Sequence, residues 1–199
     1  GVPIDASMQY TGKFTTLLNP VSLLGGLAVV FVFIFHGANF LSLKLSEGPR
    51  VKAFNAAVRN FPAALIFAVG LFAALYFTGS AFSDKGALTL VLPLLAAASL
   101  VLSRVLGTQK KEIWAFVLSS MAVIFTVAAI FVALFPNVMI SSISAAYNLT
   151  IQNASSSPYT LKVMSIVAAF MVPVVLAYQA WTYWVFRKRV KADPKSLTY

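Results

Sequence analysis

Cysteine is absent from the chain, which rules out disulfides, thiolate metal sites and cysteine nucleophiles. Charge is scarce: only 10% of residues are charged, against about 25% in an ordinary soluble domain. Acid is scarcer still, with 5 Asp and Glu against 15 Lys and Arg. Asp5, Asp84 and Asp193 lie in terminal or loop segments, Glu47 in a loop, and Glu112 at a helix mouth. No long apolar run therefore contains the buried carboxylate that proton-translocating proteins usually carry. Paired carboxylates, Gly-rich phosphate loops and HExxH-type metal sites are missing too. Nothing resembles a cleavable signal peptide, and the chain opens on Gly1, so it is expected to be a fragment or a processed product.

Apolar residues are what the chain has: 60% of it, with a mean hydropathy of +0.87. There is too little polar surface to coat a water-soluble globule, so the apolar side chains must face lipid. Crossing the hydrocarbon takes about 20 mainly apolar residues. Five runs meet that length, approximately Pro20–Leu43, Pro62–Phe82, Ala87–Leu106, Ile113–Phe135 and Leu161–Phe186. They are continuously apolar and do not alternate, which selects helices over barrel strands. The expected class is all-α: a polytopic membrane bundle of four helices plus one peripheral helix. The expected organisation is an outer segment 1–19, four spans over 20–135, an outer loop 136–160, a fifth span 161–187 and a tail 188–199.

The net charge of +10 sits in short clusters between apolar runs, a pattern that suits membrane orientation and not nucleic-acid binding. Lys44, Arg50, Lys52 and Arg59 fall after the first span, and Arg104, Lys110 and Lys111 after the third. Arg187, Lys188, Arg189, Lys191 and Lys195 follow the fifth, leaving only Lys13, Lys85 and Lys162 for the other side. The positive-inside rule then places the N-terminus outside and the C-terminus in the cytoplasm. Trp181, Tyr183 and Trp184 form an aromatic anchor at the basic interface. Pro62 is expected to open the second span, whereas Pro93 and Pro173 fall within spans and should kink or loosen them. Pro49–Asn60 is expected either as a short interfacial helix or as an extension of its neighbours. The uncharged loop 136–160 is expected to pack against something. Its two Asn-x-Ser/Thr matches, at Asn148 and Asn153, are read as chance.

Three polar residues stand inside the spans. His36 lies toward the basic end of the first, with Asn39 at i+3 on the same face. A haem ligand, proton relay or quinone contact is the functional reading of His36. A neutral imidazole bonded to Asn39 or to a neighbouring helix is the structural one. Gln179, with Thr182 at i+3, offers quinone contact or ordinary interhelical bonding. All three are expected to be structural, with no catalytic, cofactor-binding or metal-ligating residue in the chain. Two general readings stay open at this point: a supporting subunit of a larger membrane complex, and half of a secondary transporter built from inverted repeats, which the prolines at 93 and 173 would suit. A membrane-embedded assembly factor is a third.

Three stretches resemble subunit II of cytochrome bd-type quinol oxidases. They are YNLTIQNASSSPYTLKVM from Tyr147, YQAWTYWVFRKRV from Tyr178, and GVPIDASMQYTGKFTTLLNPVSLLGG with FHGANFLSLK between Gly1 and Lys44. The resemblance implies a bacterial plasma-membrane complex that oxidises quinol and reduces dioxygen to water. It implies haems of b and d type carried by a homologous subunit I, and it leaves room for a small third subunit. The cyanide-insensitive variant of the same oxidase resembles the chain equally. In that family subunit II comprises two four-helix bundles and a peripheral helix, and the present chain resembles the fifth to ninth helices. The acidic motifs that the family carries in its first four spans have no counterpart here. His36 and Asn39 match the HGANF stretch, and no family role is carried over to them.

Overall fold

The computed structural model describes residues 1–78 and 86–189. Asp84, Lys85, the expected end of the second span at Phe82, and the tail from Val190, with Lys191, Asp193 and Lys195, lie outside the described residues. Five helices long and apolar enough to cross a membrane dominate the chain. They are α1 (Pro20–Lys44), α2 (Glu47–Thr78), α3 (Leu88–Thr108), α4 (Glu112–Leu134) and α5 (Pro158–Val185).

Local chemistry sets where the first and last helices begin. Asn19 caps α1 by accepting from the Ser22 N–H at 2.9 Å, and Ser157 caps α5 by accepting from the Thr160 N–H at 3.3 Å. Each cap is followed by a proline, whose missing N–H is harmless in the first turn. Pro62 behaves otherwise. It lies in the middle of α2, which runs unbroken from Glu47. The expected start at Pro62 is thus corrected, and Pro49–Asn60 is an extension of the span and not a separate interfacial helix. Proline is tolerated there because neighbouring helices can re-satisfy the freed backbone group. α3 and α5 also continue through Pro93 and Pro173.

α1 packs along α2 and α3 along α4, and the two pairs meet through α1 with α4 and α2 with α3. The interior is built from small side chains. Ala64, Ala122 and Ala129 are fully buried, with Ala57, Ala96, Ala115 and Ala133 close behind. Large apolar groups point outward instead, with Phe77 83%, Phe170 73% and Leu94 67% exposed. A water-soluble bundle would reverse that arrangement. Here small residues let helix backbones approach, and the large side chains meet lipid. Phe35 is the bulky exception, buried against Phe61 at a ring separation of 5.7 Å. Phe31 stacks on Phe67 at 5.0 Å.

α5 stands apart. Every residue from Pro158 to Val185 is exposed except the half-buried Thr182. The segment before it is ordered on the chain's own N-terminus. A short ribbon pairs β1 (Asn137–Met139) with β2 (Leu149–Thr150). Val2 bridges to Ser141 beside that ribbon, and the Ser141 hydroxyl donates to the carbonyl of the fully buried Ile4 at 2.9 Å. The uncharged loop therefore does pack. Asn148 accepts from the Ser141 N–H at 2.8 Å and Asn153 from the Thr150 N–H at 2.6 Å, so both asparagines serve the loop's own backbone.

Candidate functional site

The polar side chains inside the bundle form a seam, not a converging pocket. His36 on α1 meets Ser119 on α4, Nδ1 to Oγ at 2.8 Å, and the Ser119 hydroxyl also lies 2.8 Å from the Phe116 carbonyl. A serine has one proton to give. If it goes to the carbonyl, Nδ1–H donates to Ser119 and Nε2 is left as an acceptor. The imidazole stacks on Phe116, centroids 5.0 Å apart at 23°. Phe40, one turn along α1, lies 5.6 Å from Phe116 and 6.5 Å from Tyr183 of α5.

Asn39 is buried and faces a different neighbour. Its amide nitrogen lies 3.5 Å from Ser103 Oγ on α3, and that hydroxyl donates to the Ala115 carbonyl at 2.6 Å. His36 and Asn39 share a helix face, yet each bonds across to another helix and neither bonds the other. Gln179 stays exposed on α5, and among the described residues its side chain enters no hydrogen bond. Thr182 donates back to the Tyr178 carbonyl at 3.0 Å. The structure thus brings His36 and Asn39 into one interhelical seam and leaves Gln179 outside it. Ser103, Ser119 and Asn60, which donates to the Phe31 carbonyl at 2.6 Å, were not singled out from sequence. A lone serine in an apolar helix gives no signal of which neighbour it will meet.

The second polar cluster gathers the basic helix ends. Glu112 opens α4 and accepts from Arg50 of α2 at 2.5 Å and from Arg189, beyond α5, at 2.8 Å. The Glu112 side chain is only 10% exposed, against 35% for Arg50 and 43% for Arg189. Lys44, ending α1, donates to the Phe186 carbonyl at 2.9 Å. Arg187 covers the Trp184 ring at 4.6 Å, a cation–π contact at the aromatic belt. The Arg189–Glu112 pair, the Lys44–Phe186 bond and the Phe40–Tyr183 edge join the end of α5 to the bundle's basic end.

Cavities among the described residues accompany these features. One of about 220 Å3 is almost wholly apolar and lies between α2 and α3, walled by Phe72, Tyr76, Thr89 and Pro93. Two others, of about 410 and 320 Å3, flank Glu112 at the basic end. His36 lines none of the three. Among the described residues no three His, Asp or Glu side chains converge as metal ligands would.

Comparison with known proteins identifies the family to which this helical bundle is similar. The family model "Cytochrome bd terminal oxidase subunit II" matches residues 1–186. Cytochrome bd ubiquinol oxidase subunit 2 of Bacillus subtilis (strain 168) is 38% identical over 200 residues, covering 100% of this chain and 59% of the relative. Cytochrome bd-I ubiquinol oxidase subunit 2 of Escherichia coli (strain K12) is 29% identical over 233 residues, covering 100% of this chain and 62% of the relative. The chain therefore spans about six-tenths of the length of these relatives. With the family model running from Gly1 past the end of α5, this membrane chain belongs to the cytochrome bd terminal oxidase subunit II family.

Proposed function

We propose that the chain is a supporting, non-haem-ligating part of a terminal oxidase in a bacterial plasma membrane. Its partner is a haem-bearing subunit I, and the complex oxidises quinol and reduces dioxygen to water. The relatives' names include ubiquinol oxidase, and membership of their family supports this reading. The five helices correspond, on this reading, to the second bundle and the peripheral helix of the subunit. The basic ends face the cytoplasm, in keeping with the distribution of Lys and Arg.

The observation that carries the supporting role is the environment of His36. An axial haem histidine needs one ring nitrogen free to reach iron and a cleft beside it that admits a flat macrocycle. Here the Ser119 bond takes Nδ1 and leaves Nε2 open, but one face of the ring lies on Phe116, and His36 lines none of the cavities described above. A ring packed flat on a neighbouring phenylalanine supports a structural role over a haem-ligating one. His36 and Ser119 fit an interhelical hydrogen bond that ties α1 to α4. Asn39 and Ser103 act in the same way between α1 and α3. The chain's mechanism is then mechanical and dielectric: apolar helices pack against the partner and shield its cofactors from water. The transporter reading called for polar side chains meeting at mid-membrane, and those here are spent pairwise along helix seams.

The test is purification of the full-length protein through a C-terminal tag from its native membrane in mild detergent. A dithionite-reducible spectrum of b- and d-type haem with a larger co-purifying membrane chain is expected. A colourless preparation without a partner would overturn the proposal.

A further inference from the structure

The turn between α3 and α4 contains two lysines that local backbone chemistry does not favour. α3 ends in a Schellman arrangement, with the Lys111 N–H bonded to the Leu106 carbonyl at 3.0 Å and the Lys110 N–H to the Gly107 carbonyl at 3.1 Å. Lys110 occupies the left-handed position of that motif, at φ +61°, where glycine is the usual residue because it has no Cβ to strain. Lys111 then precedes α4 as its N-cap without a capping hydrogen bond. Ser, Thr, Asp or Asn would satisfy an orphan N–H at that position, and a cation there opposes the helix dipole. The positive-inside rule asks for basic residues in this turn but not at these two backbone positions, so a local rule broken twice in succession marks a further demand on them.

What surrounds the two lysines indicates what that is. Both are exposed, and among the described residues neither side chain has a partner. They line the cavity of about 320 Å3 together with Glu112, Ile113, Trp114 and Arg189. Glu112 takes one donor from each of two arginines. Each guanidinium carries five N–H groups, so most remain available and the wall is cationic despite the acid. In the wall of the same cavity, Ile113 is 64% and Trp114 61% exposed. Cations beside exposed apolar side chains, at the end of a membrane-spanning helix, match the build of a lipid: a charged phosphate over a hydrocarbon chain.

We propose that this cavity is a binding site for the phosphate of an anionic membrane phospholipid, held by Lys110, Lys111 and Arg189, with its acyl chain along Ile113 and Trp114. The lipid neutralises a cluster that also anchors the last helix, so it stabilises the seating of α5 on the bundle. The proposal rests on the chain's membrane character and not on the oxidase reading, so either can fail alone.

The test uses the full-length protein, with whatever subunits co-purify, in nanodiscs of phosphatidylcholine containing increasing fractions of phosphatidylglycerol. Lipid retained after release is counted by native mass spectrometry. The wild type should retain phosphatidylglycerol over phosphatidylcholine. Lys110→Gly with Lys111→Gln should weaken that retention on the order of tenfold once screening by salt is counted. Lys110→Gly suits the left-handed turn, so its melting temperature should not fall. Lys111→Gln alone carries the test should the double variant not fold. Moving the charge by one residue, Gln109→Lys with Lys110→Gly, should also weaken binding, whereas Lys162→Gln should not. Unchanged retention in the double variant would overturn the site. So would full retention in the charge-shifted variant, since loop charge alone would then suffice. Displacement of the lipid by inorganic phosphate would assign the cavity to a soluble anion instead.

Discussion

Glu112 and Arg189 lie 77 positions apart in the chain, and their side chains meet at 2.8 Å. The pair closes on a third group, Arg50, bonded to the other carboxylate oxygen. One acid thus gathers the ends of α2, α4 and α5. Lys44 adds the end of α1 through the Phe186 carbonyl. For a helix as exposed as α5, this ring of contacts is the main attachment within the described residues.

Glu112→Gln should loosen that attachment. A hydrogen bond to a charged group contributes about 1.5–3 kcal/mol, and solvent screening of the half-exposed arginines reduces the net loss to roughly 1–2 kcal/mol. Thermal unfolding in detergent should show the loss, and trypsin should cut faster at Arg187–Arg189. Wild-type melting and cleavage in the variant would mean that α5 is held by other means.

His36 and Ser119 should be energetically coupled. A double-mutant cycle with His36→Ala and Ser119→Ala should give a coupling of about 0.6 kcal/mol, the average for interhelical bonds in a membrane. A coupling indistinguishable from zero would remove the bond as a link between α1 and α4.

Thr126 has a buried hydroxyl without a hydrogen-bond partner among the described residues. Thr126→Val removes an unsatisfied polar group at nearly constant shape, so stability should hold or rise by up to about 1 kcal/mol. Thr126→Ser keeps the hydroxyl and loses a methyl, which should cost about 0.8 kcal/mol. If the valine variant melts well below the serine variant, the hydroxyl has a partner after all.

The small-residue seam makes its own demand. Ala122 is fully buried, and Ala122→Leu should force the helices apart at a cost of about 1–3 kcal/mol. Phe170→Leu, on the outward face of α5, should leave the bundle's melting point unchanged. Equal melting points for the two variants would show that the Ala122 contact is loose.

The spans could be read from sequence because lipid demands long apolar runs, and α1, α4 and α5 lie within a few residues of where those runs predict. The sequence predicts too short an α2, because a proline at the head of an apolar run looks like a helix start. Only packing by neighbours reveals that Pro62 is interior. The polarity of His36 and Asn39 was also visible, but their partners were not. Ser119 and Ser103 lie 83 and 64 positions away, and nothing local encodes such pairings. Glu112 drew attention only as a helix-mouth acid, because its two arginines reach it from remote ends of the chain. Lys110 and Lys111 signal topology in the sequence, and only the backbone geometry shows their conflict with the turn.

Haem content of the assembled complex carrying His36→Ala tests the central claim most directly. The account predicts a complex with its full complement of reducible b- and d-type haem, with the partner subunit still bound, because His36 ties helices together and ligates nothing. Selective loss of one haem band from an otherwise intact complex would contradict it and would make His36 a ligand.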